Sequence, residues 1–354
     1  MKWLLHTDSL NLRGTAVAVR DYCQGLLGLG HEVIVAYRSS NSENDAGVLA
    51  NMSQMVELLP YENFSELEGS ANKRGVERAY FIKSGERDEK CFSSIYSCIH
   101  AVFPTKIKEV HGDAFAFVSE WLSLEFSNGK IPWVPHIVSL PDVKGCLRDE
   151  LGIPSGALVF GGMGGASSFD IEFVRRAVKD SVDRRPDLYF VFFNIAPFAQ
   201  HERIRFLAGD SNLDRKVRFI QTCDAMIHAR GLGESFGLSC AEFSSKNKPV
   251  VTYEFSPQAA HVHMLGDSAI VYRGSKDLRE IFLHSSTQDF KHGTWDCYST
   301  KFSPSEVMKV FSKVFIESRG VLANGITWHD HAMLQVNAFK RRLKRHSRKL
   351  WSTQ

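Results

Sequence analysis

The sequence predicts an α/β protein of two Rossmann-like domains, and three observations carry that prediction. Its 354 residues exceed one ordinary domain and suit two. Short apolar runs alternate with stretches of helical spacing in the amino-terminal half, and the alternation starts again near residue 158. Between the two series, Pro132, Pro135, Pro141 and Pro154 crowd together where the periodic signal lapses, the composition of an interdomain connection. The expected boundaries are 1–140, 150–325 and a terminal 326–354 with a helix and a basic tail, the two domains facing each other across a ligand cleft.

The elements follow in order. Lys2–Leu5 is a short buried-strand candidate, Thr15–Leu29 has helical apolar spacing closed by Gly30, and Val33–Ala36 is a second strand. This strand, loop, helix, strand opening is the first unit of a doubly wound parallel sheet. From Ser39 to Glu89 the chain is polar, and only Val56–Leu59 and Ala79–Ile82 suggest strands. Ile95–Val102 and Ala114–Val118 are stronger candidates. The second series predicts strands at Leu158–Phe160, Tyr189–Phe193, Val217–Ile220, Ala225–His228, Val250–Tyr253 and Ala269–Tyr272. Its helices are expected at Ile171–Val182 and Leu238–Ser245, with Gly161–Gly165 as a tight loop.

Composition narrows the function classes. At 44% hydrophobic and 23% charged residues, the chain is neither disordered, collagen-like nor a coiled coil. Lys and Arg number 43 against 40 Asp and Glu, an excess of +3 that is too small for a wholly basic nucleic-acid coat. The basic charge is local: Lys340, Arg341, Arg342, Lys344, Arg345, Arg348 and Lys349 give +7 with no acid after residue 330, leaving −4 for the rest. Seven scattered cysteines without a CxxC spacing predict free thiols in a reducing compartment. No apolar run approaches the 18 or so residues that span a bilayer, and His6 and Asp8 interrupt the apolar start. A cytoplasmic protein, soluble or peripherally membrane-associated, is expected.

The most informative stretch runs from Cys223 through Arg230, Glu234, Phe236, Gly237 and Glu242 to Lys248-Pro249-Val250. It reads as strand, glycine-containing loop, helix, strand. A helix starting near Gly237 points backbone N–H groups and the positive end of its dipole at the carboxyl edge of the sheet, a physical site for a diphosphate. Carboxylates repel phosphate, so Glu234 and Glu242 have neutral hydroxyl donors as their natural targets. A nucleotide sugar supplies hydroxyls on both sides of its diphosphate. The plainer alternative makes Glu242 a solvated helix position and Glu234 a loop charge. The Gly162-x-Gly164 pattern lacks a third glycine and a following acid, which argues against a dinucleotide fingerprint. A turn that lets a ligand approach the backbone suits it better. Asp170 is expected to cap the following helix.

Glu234 and Glu242 with seven residues between them, Ser235-Phe236-Gly237-Leu238 inside and Lys248-Pro249-Val250 after, resemble the signature of the retaining family-four glycosyltransferases of GT-B fold. Arg13-Gly14-Thr15 with Gly30-His31-Glu32-Val33, His100-Ala-Val-Phe-Pro104, Phe117 to Leu122, Val134-Pro135-His136 and Leu147 to Pro154 resemble further segments of that family in the same order. The resemblance implies retaining, metal-independent transfer from a nucleoside-diphosphate sugar, with UDP- or GDP-sugar as donor, no bound cofactor, and a glycan or glycoconjugate acceptor on the amino-terminal side. It implies that Glu242 holds the ribose, that Glu234 holds the donor sugar, and that Ser235, Phe236, Gly237 and Leu238 line phosphate and sugar. It also implies that His100 touches the sugar near its reacting carbon and that Gly14 lets the backbone approach the phosphates. Gly162 and Gly164 complete the expected donor site. Relatives carry an Arg and a Lys after the first carboxy-domain strand, where this chain has only glycines and Met163. Arg230 is the expected substitute clamp; its alternative is a pairing with Glu234 or Asp224, as His100's alternative is a core histidine. Val217–Ile220 leaves little room for the short helix that relatives place near the nucleobase. Two other functions compete: an epimerase or hydrolase on the same fold, and a basic-tailed module for an anionic surface. Specific nucleic-acid binding is not expected from a tail whose aromatics are Phe339 and Trp351.

Overall fold

The structure, a computed structural model, describes residues 1–317 and 328–351. It divides into two compact units, Met1–Ile137 with Lys301–Ala338, and Val138–Thr300 with Phe339–Gln354.

The first unit contains β1 (Lys2–Thr7), α1 (Gly14–Gly28), β2 (Glu32–Arg38), α2 (Ala46–Ser53), β3 (Glu57–Tyr61), α3 (Phe64–Lys73), β4 (Arg78–Lys83), β5 (Tyr96–Ala101), β6 (Ala114–Phe117) and α4 (Glu120–Ser127). Its six strands form one sheet in the order β3-β2-β1-β4-β5-β6, and every adjacent pair is parallel. A parallel sheet is covered on both faces, which is why Trp3, Leu4 and Leu5 are consecutive and all fully buried. The polar stretch after Ser39 holds two helices without strong apolar spacing. Asp45 starts α2 by accepting from the Val48 N–H at 2.9 Å.

The second unit contains β7 (Leu158–Met163), α5 (Glu172–Arg184), β8 (Leu188–Phe193), β9 (Ile204–Leu207), α6 (Leu213–Thr222), β10 (Ala225–His228), β11 (Gly233–Glu234), α7 (Leu238–Ser245), β12 (Val250–Tyr253), β13 (Gln258–Ala259), α8 (Ala260–Leu265), β14 (Ala269–Tyr272), α9 (Ser275–His284) and α10 (Thr287–Lys291). Its main sheet runs β14-β12-β10-β7-β8-β9, again parallel, and β11 pairs with β13 as a separate two-stranded ribbon. In each sheet the first strand lies at the centre, so the winding reverses between β1 and β4 and between β7 and β10. Ligands of doubly wound sheets bind at such a reversal, beyond the carboxyl ends of the strands.

Three expectations are corrected. Val217–Ile220 is not a strand but the second half of α6. Asn212 caps this helix through Asp214 N–H at 2.8 Å and Arg215 N–H at 3.2 Å, while Arg215, Lys216 and Arg218 alternate with buried Val217, Phe219 and Ile220. A four-residue segment with three apolar residues fits a buried helix as well as a strand. Gly161 and Gly162 belong to β7 rather than to a loop. A Cβ on Gly161 would fall 2.4 Å from Cys223 Sγ, and one on Gly162 would fall 2.6 Å from the Phe192 ring, so tight packing requires both glycines. Asp170 does not cap α5, whose first flanking residue is Ile171; its Oδ1 accepts the Gly231 N–H at 2.6 Å instead.

After the second unit the chain returns to the first through α11 (Pro304–Phe311), which the expected range of 150–325 for the second domain did not separate. Phe311 fills the space beside Trp3 and Tyr22, with ring centroids 5.9 and 5.1 Å away. The last helix, α12 (Trp328–Trp351), carries the basic run. Residues 318–327, where the third region was expected to begin, and the side chains of Arg342, Lys344, Arg345, Arg348 and Lys349 lie outside the described residues. Among the described residues no helix is long and apolar enough to cross a membrane. All seven cysteines are free thiols.

Candidate functional site

The second unit places Arg230 and Glu234 just past the carboxyl end of β10, beside the reversal between β7 and β10. Glu234 stands there on β11, held by the ribbon it forms with Gln258–Ala259. Gly233 makes that ribbon close: at φ +75° its absent Cβ would lie 1.9 Å from the Gln258 carbonyl oxygen. Two residues past Glu234 the chain enters α7 through Phe236 and Gly237. Gly237 has φ +91°, and a Cβ there would press on His261 and Glu234 at 2.8 and 3.2 Å. It offers no capping side chain, so the N–H groups of Leu238 and Ser239 are among those that helix geometry leaves without an intrahelical acceptor. Phe236 is buried, its ring 6.2 Å from that of Tyr298. Ser235 lies between these anchors in the same short loop.

Both Glu234 oxygens meet cationic or polarised nitrogen. Arg230 Nη1 donates to Oε2 at 3.0 Å, and His228 Nε2 is 3.3 Å from Oε1. Burial pushes this carboxyl's pKa up; the hydrogen bond from His228 and the charge of the Arg230 guanidinium outweigh it and hold the group below the ordinary carboxylate range. The result is a mostly buried anion with two partners and, out of about four lone-pair positions, two left over for donors from outside.

Glu242 is neither solvated nor unpartnered. It sits inside α7 with its carboxylate almost fully buried, and Lys216 Nζ from α6 donates to Oε1 at 2.9 Å. Asp224, the other partner foreseen for Arg230, is occupied by Arg148 at 2.9 Å. That guanidinium also donates to the carbonyls of Thr222, Pro154, Ser155 and Ala157, which fastens the Leu147–Pro154 segment to the start of β10.

The structure therefore brings together Arg230, Glu234, Ser235, Phe236, Gly237 and Leu238 at the start of α7, with Glu242 more than a turn further along that helix, paired with Lys216. Gly162 lies on β7, the strand next to β10, and Gly164 follows it; a Cβ on Gly164 would meet Ser168 Oγ at 2.2 Å, so protein atoms fill its open side. His100 and Gly14 belong to the first unit. Gly14 opens α1. His100 is completely buried on β5, where Nδ1 meets the Tyr80 hydroxyl at 2.6 Å and Nε2 the Val134 carbonyl at 2.8 Å. Desolvation pulls its pKa to about 4, with the backbone contacts opposing. Both ring nitrogens are thus engaged within the protein, and this geometry offers neither to a ligand.

Sequence reasoning missed Lys216, His228, Thr252 and His261. Lys216 was hidden by reading its helix as a strand, and the other three are strand or short-helix residues whose partners come from separate elements. In the first unit a cavity of about 360 Å³ opens where β1, β2 and β3 end, lined by Asp8, Arg38, Tyr61, Phe64 and Lys90 among others. Among the described residues no three His, Cys, Asp or Glu side chains are gathered in a way that could hold a metal.

No protein-family model matches the sequence, and no curated protein sequence matches it. Solved structures do match in fold. WaaG, a glycosyltransferase involved in lipopolysaccharide biosynthesis, is similar with a TM-score of 0.61 at 10% identity, covering 89% of this chain and 100% of that one. HepE of Anabaena, solved with UDP-glucose, gives a TM-score of 0.61 at 12% identity over 96% of this chain and 99% of that one. A putative UDP-N-acetylglucosamine 2-epimerase from Listeria monocytogenes gives 0.59 at 10% identity over 91% and 98%. Identities this low show the fold alone, and the fold they show is that of GT-B glycosyltransferases.

Proposed function

We propose that this protein is a glycosyltransferase that moves a sugar from a nucleoside-diphosphate sugar, UDP- or GDP-linked, to a hydroxyl of a glycan or glycoconjugate with retention of anomeric configuration. The observation that carries the reading is Glu234: a buried, ionised carboxylate at the head of α7, with lone pairs to spare for hydroxyl donors and backbone N–H groups beside it for phosphate. Neutral hydroxyls and a diphosphate are the combination that such a site can serve at once.

In this reading Glu234 holds the donor sugar and Glu242, positioned by Lys216, holds the ribose. Ser235, Phe236, Gly237 and Leu238 contribute the backbone between them. The bond from the anomeric carbon to the diphosphate breaks, the acceptor oxygen takes its place, and the acceptor proton is released. The departing diphosphate gathers negative charge, and Arg230 with the α7 N-terminus can meet that charge from fixed positions. The first unit takes the acceptor, and its mixed charged and aromatic cavity supports a polar, ring-bearing one. No divalent metal takes part in the proposed step. A peripheral contact of the basic helix α12 with an anionic surface belongs to the same proposal. The epimerase neighbour supports a second reading, in which the same donor site epimerises or hydrolyses its ligand.

One assay tests these readings. UDP- and GDP-sugars are incubated with the protein in excess chelator, with water or a glycan panel as acceptor, and the products are followed by NMR. Retention predicts release of the nucleoside diphosphate and a sugar product with the donor's anomeric configuration. An inverted product contradicts retention, loss of turnover restored by magnesium or manganese contradicts metal independence, and an epimerised sugar still on its diphosphate establishes the second reading.

A further inference from the structure

The second partner of Glu234 belongs to a longer chain of contacts. His228 turns Nε2 toward Glu234 Oε1 at 3.3 Å and Nδ1 toward Thr252 Oγ1 at 2.9 Å. The Thr252 hydroxyl also reaches His261 Nε2 at 2.9 Å, and the two imidazole centroids are 4.6 Å apart. The Tyr272 hydroxyl donates to the His228 carbonyl at 2.9 Å and fixes the end of β10. Thr252 and His261 are fully buried and His228 nearly so. His261 Nδ1 is buried with no hydrogen-bond partner among the described residues.

Counting protons gives this chain a direction. An ionised carboxylate only accepts, so His228 Nε2 must carry its proton toward Glu234. At the other end His261 Nδ1 has no acceptor among the described residues and so stays bare, which makes His228 Nδ1 the acceptor of the Thr252 hydroxyl proton. Thr252 has no second proton, so its oxygen accepts from His261 Nε2–H, which leaves His261 Nδ1 as a bare lone pair. The opposite polarity would aim a His228 lone pair at the carboxylate and bury a His261 Nδ1–H with nothing to receive it. Orphan buried N–H groups are rarer than under-used acceptor lone pairs, because the stranded donor carries the full desolvation cost. Burial pulls the His261 pKa to about 3, which keeps that ring neutral as the chain requires.

We infer that Thr252 and His261 are positioning residues that lock His228 in its Nε2–H tautomer, and that the locked His228 orients the Glu234 carboxylate so that its remaining lone pairs face the hydroxyls of the donor sugar. The role toward the sugar rests on the nucleotide-sugar reading above; the lock itself does not.

Two measurements on the full chain test it. In the first, UDP-glucose and UDP are titrated against the wild type, His228→Asn, His228→Gln and Thr252→Val. A Gln amide nitrogen lies near the Nε2 position and an Asn one near Nδ1. His228→Asn and Thr252→Val should bind UDP-glucose about tenfold more weakly, the loss expected of one charge-assisted hydrogen bond. UDP, which lacks the sugar, should bind all variants within about twofold of wild type, and His228→Gln should recover most of the UDP-glucose affinity. Equal losses for both ligands, or no loss in His228→Asn, would overturn the inference. In the second, imidazole nitrogen NMR of the unliganded protein should show both histidines protonated at Nε2, and Thr252→Val should release His228 to a tautomer mixture. An unchanged His228 tautomer in Thr252→Val overturns the lock. A wild type that binds neither UDP nor UDP-glucose removes the nucleotide-sugar reading and the sugar role with it, while the tautomer measurement still decides the lock.

Discussion

Arg230 meets two demands in this site. Its guanidinium neutralises one Glu234 oxygen at 3.0 Å, and in the proposed reaction it also faces the charge that develops on the leaving diphosphate. An interaction that strengthens as the bond breaks sets kcat, whereas one made equally in ground and transition states sets KM. Arg230→Ala should therefore lower kcat by about 100- to 1000-fold in a folded protein. Glu242→Gln should chiefly raise the donor KM. Steady-state kinetics of the two variants decide the division, and wild-type kcat in Arg230→Ala would leave Arg230 as a partner of Glu234 and nothing more. Lys216 makes a separate prediction. Its removal strands the buried Glu242 carboxylate, so Lys216→Met should cost about 3–5 kcal/mol of stability, and adding Glu242→Gln should return part of it; denaturant titration of the single and double variants measures this. At this scale the two glutamates were legible in the sequence because their spacing is local to one loop and helix. Lys216 and the histidine chain were not, because Lys216 pairs across 26 positions and Thr252 with His228 across 24.

Elements bounded by turn or charged residues could be read to the residue: β10, β12, β14 and α7 begin after Asp224, Pro249, Ser268 and Gly237, and the last three end before Glu254, Arg273 and Lys246. What failed was an apolar pattern too short to distinguish helix from strand, as in α6, and pattern whose partner lies far away, as in α11. Nothing near Pro304–Phe311 announces that the helix packs on β1 and α1, through Trp3 and Tyr22 at the opposite end of the sequence. Phe311 is completely buried there, so Phe311→Ala should destabilise the first unit by about 3–5 kcal/mol. A thermal midpoint equal to wild type would mean that α11 is dispensable to that unit. At the head of α7, Gly237→Ala forces a left-handed backbone on a residue with a Cβ and sets that Cβ 2.8 Å from His261. A loss of about 1–3 kcal/mol is expected from the strain, read as a lowered melting temperature.

Across the whole molecule, buried histidines tie stability to pH. His6, His100 and His136 in the first unit have pKa values drawn from 6.5 to about 4, 4 and 3, and His261 in the second to about 3, in each case chiefly by burial. The unfolded chain binds these protons below about pH 6.5 while the folded chain refuses them. The stability they confer is therefore complete above that pH and declines as pH falls toward the folded values, by about 1.4 kcal/mol per pH unit for each ring. With three such rings against one, the first unit should lose its cooperative transition first when calorimetric scans are stepped from pH 7.5 to 5. A pH-independent profile over that range would contradict the burial of these rings. The central claim, that the second unit binds a nucleoside-diphosphate sugar through Glu234, is tested most directly by thermal shift against UDP-, GDP- and dTDP-sugars in the wild type and in Glu234→Gln, since a ligand of the native state raises the melting temperature. The account predicts that at least one of these sugars stabilises the wild type and stabilises Glu234→Gln distinctly less; no shift from any of them, or an equal shift in both proteins, would contradict it.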